Sequence, residues 1–119
     1  MPLPIACQLY TVRDLVRQDL AGAVKAVADI GYGAVELAGY GNLPSAIEVR
    51  NVLDDLGLSV VATHTNMDAL ERNLAAMLDD AERLASPAVV LSFLPEPRRK
   101  DAAGWRAAAD LLGQVGQGC

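Results

Sequence analysis

Gly57-Leu58-Ser59-Val60-Val61-Ala62-Thr63-His64 is the stretch on which the fold turns. The run Leu58–Thr63 is β-branched and apolar on both faces, and too short for a helix. A parallel strand sandwiched between layers reads this way. Gly57 closes the segment before it, a helix that opens at Ser45-Ala46-Ile47-Glu48 with capping-box spacing. Ile47, Val49, Val52, Leu53 and Leu56 build the apolar face of that helix.

Working outward, the same unit recurs on both sides. Upstream are the runs Ala34–Ala38 and Ile5–Tyr10. Between them a helix is expected over about Asp19 to Ile30, with Asp19 as N-cap, Gly31 as C′ residue, and Leu20, Val24, Val27 and Ile30 at helical spacing. Downstream, Leu70, Leu74, Met77, Leu78, Ala81 and Leu84 predict a helix over about Met67 to Leu84, stopped by Pro87. A fourth run follows, Ala88–Leu94. The last amphipathic segment is Asp101–Val115, with Trp105, Ala108, Leu111, Leu112 and Val115 in register. Strand starts near Pro4, Ala34, Leu58 and Ala88 recur at roughly 24–30 residues, as a repeated βα unit requires. The predicted fold class is α/β: four βα units with parallel strands in a single domain over residues 1–119, without a linker or composition break.

Composition narrows the function. The chain has 119 residues, 52% hydrophobic, 21% charged and 4% aromatic, with a net charge of −5. Half-apolar composition excludes disorder, and the acidic balance argues against a nucleic-acid partner. No apolar stretch approaches the ~18–20 residues of a membrane span. Met1–Tyr10 lacks a basic n-region and is interrupted by Pro2 and Pro4, so no signal peptide is expected. Two distant cysteines, Cys7 and Cys119, make neither a disulfide framework nor a zinc motif, and a cytoplasmic location is the expectation. Cys7 reads as an inert buried thiol.

In parallel α/β folds, chemistry gathers beyond the carboxyl ends of the strands. The polar residues there are Gln8 and Tyr10 on strand one, Glu36 on strand two, His64 after strand three and Ser92 on strand four. Parallel neighbours would bring them to one mouth. Glu36, flanked by Val35 and Leu37, needs a partner, since an unpaired buried carboxylate costs several kcal/mol. It is either a substrate contact or base, or a structural group tied to a backbone amide or to Arg13. His64, the single histidine, is a ligand-binding group or a packing residue. Gln8 and Tyr10 share a face under strand alternation; Gln8 equally suits a bond to a neighbouring loop. Ser92 reads as a small filling residue. One Glu and one His do not make a metal site.

Sharper motifs fail. Gly39-Tyr40-Gly41-Asn42-Leu43-Pro44 has Pro44 where a dinucleotide loop has its third glycine. There is no GxxxxGK[ST] loop, no GxSxG elbow and no receiver-type acidic pair. Arg98-Arg99-Lys100 reads as a solvated loop.

Three segments carry a family resemblance: Gln8-Leu9-Tyr10-Thr11-Val12-Arg13-Asp14, Asp29-Ile30-Gly31-Tyr32-Gly33-Ala34-Val35-Glu36-Leu37-Ala38-Gly39, and Leu53-Asp54-Asp55-Leu56-Gly57-Leu58 running into Ala62-Thr63-His64. Together they resemble the sugar phosphate isomerase/epimerase family, whose fold is the xylose-isomerase-like TIM barrel. The resemblance implies the N-terminal half of a (β/α)8 barrel, since a whole one takes about 250 residues. It also implies that Glu36 and His64 line the pocket and that Gln8 and Tyr10 stand at its mouth, all as substrate-binding residues. The family's divalent metal (Mn, Mg, Co or Zn) is held mainly by later strands, so no metal is expected on this chain alone.

Half a barrel leaves two sheet edges, near Ile5 and Val90, and an inner face whose apolar residues would form a large patch. Two copies could pair into a homodimer, the chain could belong to a longer product, or the sheet could flatten. The leading expectation is a self-associating half of a sugar (phosphate) isomerase/epimerase, binding a sugar or cyclitol, with little activity alone. The alternative is a small non-enzymatic assembly or binding module with an open parallel sheet.

Overall fold

The computed structural model describes residues 3–119. Met1 and Pro2, and with them the Pro2 part of the leader reading, lie outside the described residues. Strand β1 (Ala6–Gln8) leads through a 3-10 turn (Leu9–Val12) into α1 (Arg13–Gln18) and α2 (Leu20–Ile30). Then come β2 (Ala34–Leu37), α3 (Ala46–Asp55), β3 (Ser59–Thr65), α4 (Met67–Arg72), α5 (Leu74–Arg83), β4 (Val89–Leu91), a 3-10 turn (Glu96–Arg98) and α6 (Ala102–Gly118). The four strands form one sheet in the order β1-β2-β3-β4, and every pairing is parallel. The predicted fold class stands.

The expected signals set the helix ends. Asp19 accepts from the Gly22 amide and Ser45 from the Glu48 amide, while Gly31 and Gly57 take positive φ behind α2 and α3. Helices cover the sheet face that carries Val35, Leu37 and Val60. The core there joins Leu20, Val24 and Val27 of α2 to Val49 and Leu53 of α3, together with Leu58 and Leu84. Arg50 fastens α3 to the end of α5 by donating to the Leu84 carbonyl at 3.0 Å.

Several expectations need correction. Strand one ends at Gln8, because the chain turns into the 3-10 segment there, so Tyr10 no longer alternates with Gln8. The short α1 lacked a recognisable apolar repeat. The predicted helix over Met67–Leu84 is two helices broken at Asn73, whose backbone leaves the helical region (φ −134°, ψ 35°). Strand four is only Val89–Leu91. Helix α6 begins beyond its cap Asp101 and runs on to Gly118, yet buries only Ala108 and Val115; Trp105 and Leu112 of its apolar stripe stay exposed.

The open face of the sheet is also less apolar than the sequence suggested. Its exposed large hydrophobic residues are Val61 and Val90, each 36% accessible. Between them lie polar groups.

Candidate functional site

Three adjacent strands deliver one polar side chain each to the open face. Gln8 pairs in register with Glu36 across β1 and β2. Across β2 and β3 the register slips: Val35 lies opposite Val60, but Glu36 lies opposite Ala62. Val61 is thus an extra residue in β3, a bulge that resets the alternation. Without it, His64 would share the helix-covered face with Leu58 and Val60. With it, His64 stands on the open face beside Glu36, and Thr63 turns inward to be buried.

The three side chains form a closed triangle. His64 Nε2 is 2.6 Å from Glu36 Oε1, Gln8 Nε2 donates to the same oxygen at 2.8 Å, and Gln8 Nε2 and His64 Nε2 are 2.9 Å apart. The Gln8 amide is oriented from behind, since its Oε1 accepts from the Tyr10 backbone N–H at 2.8 Å. Its NH2 group therefore faces the other two as a donor. A protonated His64 Nε2 gives Glu36 a second donor. An unprotonated Nε2 can instead accept from Gln8. Either placement of the hydrogen on the ring thus finds a partner in the cluster.

Among the proposed pocket residues, Gln8, Glu36 and His64 are brought together. The partner of Glu36 is neither Arg13 nor a backbone amide. Tyr10 stays out of the triangle: its ring is 55% exposed, with the Arg13 guanidinium 4.5 Å from its centroid. It does line, with Gly39, His64, Asn66 and Ser92, a cavity of about 300 Å³ at the carboxyl ends of the strands. Ser92 thus reaches the mouth as well.

A neighbouring cavity of about 340 Å³ lies behind His64, bordered by Thr63, Asn66, Asn73, Met77, Tyr40 and Asp80. Tyr40 donates to Asp80 at 2.8 Å, and burial together with that carboxylate holds its hydroxyl well above the ordinary tyrosine range. Sequence reading missed this pair, which only the packing of the β2–α3 loop on α5 creates. Asn66 was legible: an Asn directly before an amphipathic run is an N-cap, and it accepts from the Ala69 amide at 2.9 Å. The larger cavity at the opposite end of β1, about 570 Å³ and lined by Leu3, Ile5, Ile30 and Tyr32, carries no convergent chemistry.

The basic cluster is a surface feature. Arg98 pairs with Glu71 at 2.6 Å, holding that carboxyl below its usual range, and Arg99 lies over Phe93. Among the described residues no group of three or more His, Cys, Asp or Glu side chains is gathered as a metal centre needs. Glu36 and His64 are two donors committed to each other, so one chain does not fit the divalent metal expected of a full barrel. Among the described residues no helix is long and apolar enough to cross a membrane.

Comparison with known proteins adds the fold. No protein-family model matches the chain, and no curated protein matches it either. A crystal structure of a sugar phosphate isomerase/epimerase from Parabacteroides distasonis ATCC 8503 is similar, with a TM-score of 0.63 and 19% sequence identity. The match covers 97% of this chain and 52% of that one, so this chain spans about half the length of that relative. At that identity the likeness is one of fold: a parallel α/β unit built like half of that isomerase.

Proposed function

We propose that this chain is half of a sugar (phosphate) isomerase- or epimerase-type barrel in which Gln8, Glu36 and His64 orient substrate hydroxyl groups, with Tyr10 at the rim. The observation that supports this most is the Gln8–Glu36–His64 triangle, at the carboxyl ends of adjacent parallel strands and on the face a second half would cover. Carboxylate, imidazole and amide together accept from and donate to vicinal hydroxyls, and the cavity beside them is monosaccharide-sized. His64 lines that cavity, and Glu36 stands against His64 at 2.6 Å, so the pair meets a hydroxyl group the cavity admits. A divalent metal bound in a complete barrel would supply polarisation of the sugar carbonyl. Lacking a fitting site for it, the chain alone turns over little or no sugar. The half that covers the open face is a second copy of the chain, and the free Cys7 and Cys119 suit the cytoplasm.

The test is a titration of the chain with ketose and aldose phosphates, followed by NMR shifts of His64, Asn66 and Ser92. Saturable shifts lost in Glu36→Ala and His64→Ala are expected. Unchanged sugar binding in both variants overturns the assignment of these residues. Isomerisation at the rate of a complete enzyme overturns the inactivity. The exposed Trp105 and Leu112 favour a second reading, an assembly module without enzymatic chemistry, which predicts association with no sugar response at all.

A further inference from the structure

Arg13 has no carboxylate partner among the described residues, yet its guanidinium is held in place. Nη1 donates to the Tyr10 carbonyl at 3.0 Å, and the group lies over the Tyr10 ring, 4.5 Å from the centroid. The remaining N–H donors of the fork are left for something else. A planar fork seated on an aromatic face is set up to grip an oxyanion, since little side-chain freedom is left to lose.

Arg17 stands one helical turn further along α1, and both arginines line a cavity of about 240 Å³ walled by Leu9, Val16 and Gly41. Like charges four residues apart on one helix repel. Asp14 offsets only part of this, because it meets Arg17 at 3.7 Å and does not pair with Arg13. In a chain of net charge −5, two arginines on one cavity are a local reversal of sign. This cavity adjoins the mouth: Tyr10 and Ala38 line both it and the cavity that carries His64, Asn66 and Ser92.

We propose that Arg13, with Arg17 beside it, binds the phosphate of a phosphorylated sugar whose hydroxyl groups meet the Gln8–Glu36–His64 triangle. This rests on the sugar-binding reading of the triangle and narrows its ligands to phosphate monoesters. A phosphate monoester presents three terminal oxygens, enough for two guanidinium groups, whereas a carboxylate fills a single fork. The cavity behind His64 carries Asp80, whose charge repels a phosphate, so the anionic end is directed toward Arg13. Tyr10 then serves both ends of the ligand: its ring seats Arg13, and it borders the sugar cavity as well.

The experiment is an NMR titration of the whole chain with glucose 6-phosphate, fructose 6-phosphate, the two free sugars, glucuronate and inorganic phosphate, following the Arg13 Nε–H signal. The phosphorylated sugars should bind about tenfold tighter than the free ones, as hydrogen bonds to a charged group predict. In Arg13→Gln that preference should disappear. Arg106→Gln, an exposed change on α6 with the same loss of charge, should keep it. Arg13→Lys should restore only part of it, since lysine keeps the charge and loses the fork. Equal binding of phosphorylated and free sugars overturns the phosphate site and leaves the triangle standing. A preference that survives Arg13→Gln overturns the role of Arg13. Glucuronate bound as tightly as glucose 6-phosphate overturns the choice of phosphate. Sugar phosphates and inorganic phosphate bound alike at Arg13, with the free sugars silent, uphold the phosphate site and overturn the sugar reading of the triangle. Silence toward every probe overturns both.

Discussion

Glu36 and His64 touch at 2.6 Å because β3 carries one residue more than β2 between their register points. Val61 is that residue. The contact is therefore a product of a strand irregularity, and several measurable properties follow from it and from the elements around it.

Replacing His64 by Ala leaves Glu36 with Gln8 as its single donor in the triangle, on a half-buried surface. Loss of a hydrogen bond to a charged group should cost about 1.5–3 kcal/mol in urea denaturation. In Glu36→Gln/His64→Ala the second change should cost less than in the parent, since the carboxylate it served is gone. Additive costs would sink the pairing.

Gly41 should not tolerate a side chain. It sits at φ +60° in the β2–α3 loop, where a Cβ would run into the Val16 carbonyl. Asn42 next to it accepts from the Leu20 amide at 2.8 Å, so this loop also closes the start of α2. Gly41→Ala should lower stability by about 2 kcal/mol or more, through left-handed strain plus the clash. Chemical denaturation measures it, with Gly113→Ala, in open space within α6, as a control that does not lower stability.

The Tyr40–Asp80 pair makes stability fall at high pH. Tyr40 holds its proton more tightly when folded than when unfolded, because of burial and the neighbouring carboxylate. Its contribution is fully present below the unfolded tyrosine range near pH 10 and is lost as pH rises above it. The decline is at most about 1.36 kcal/mol per pH unit, less to the extent that solvent screens this half-buried pair. Tyr40→Phe should be less stable by about 1 kcal/mol at pH 7 and lose stability less steeply above pH 10. Melting temperatures from pH 8 to 11 for both proteins check this.

Asn66→Ala should uncap α4 directly behind His64. The Ala69 amide loses its acceptor, at a cost of about 0.5–2 kcal/mol. Amide exchange should speed up over Met67–Arg72 and not over Ala46–Asp55. Uniform acceleration across both helices would show that the cap serves global stability only.

Local signals in the sequence determined most of the scaffold. Ser45 and Asp19 cap helices where their spacing said they would, and the apolar runs at Ala34 and Leu58 became parallel strands, because capping and strand propensity depend on residues close in the chain. The break at Asn73 was less legible, since apolar positions on both sides keep a single helical phase. What the tertiary structure alone decided is the site. Strict alternation through Leu58, Val60 and Ala62 would have hidden His64 among the helices, and only pairing against β2 reveals the bulge at Val61 that turns it outward. In the same way, the early end of β1 decides that Tyr10 stacks with Arg13 and leaves the triangle to Gln8. Alternation is a property of one strand, whereas the face a side chain finally occupies is fixed by the register between two.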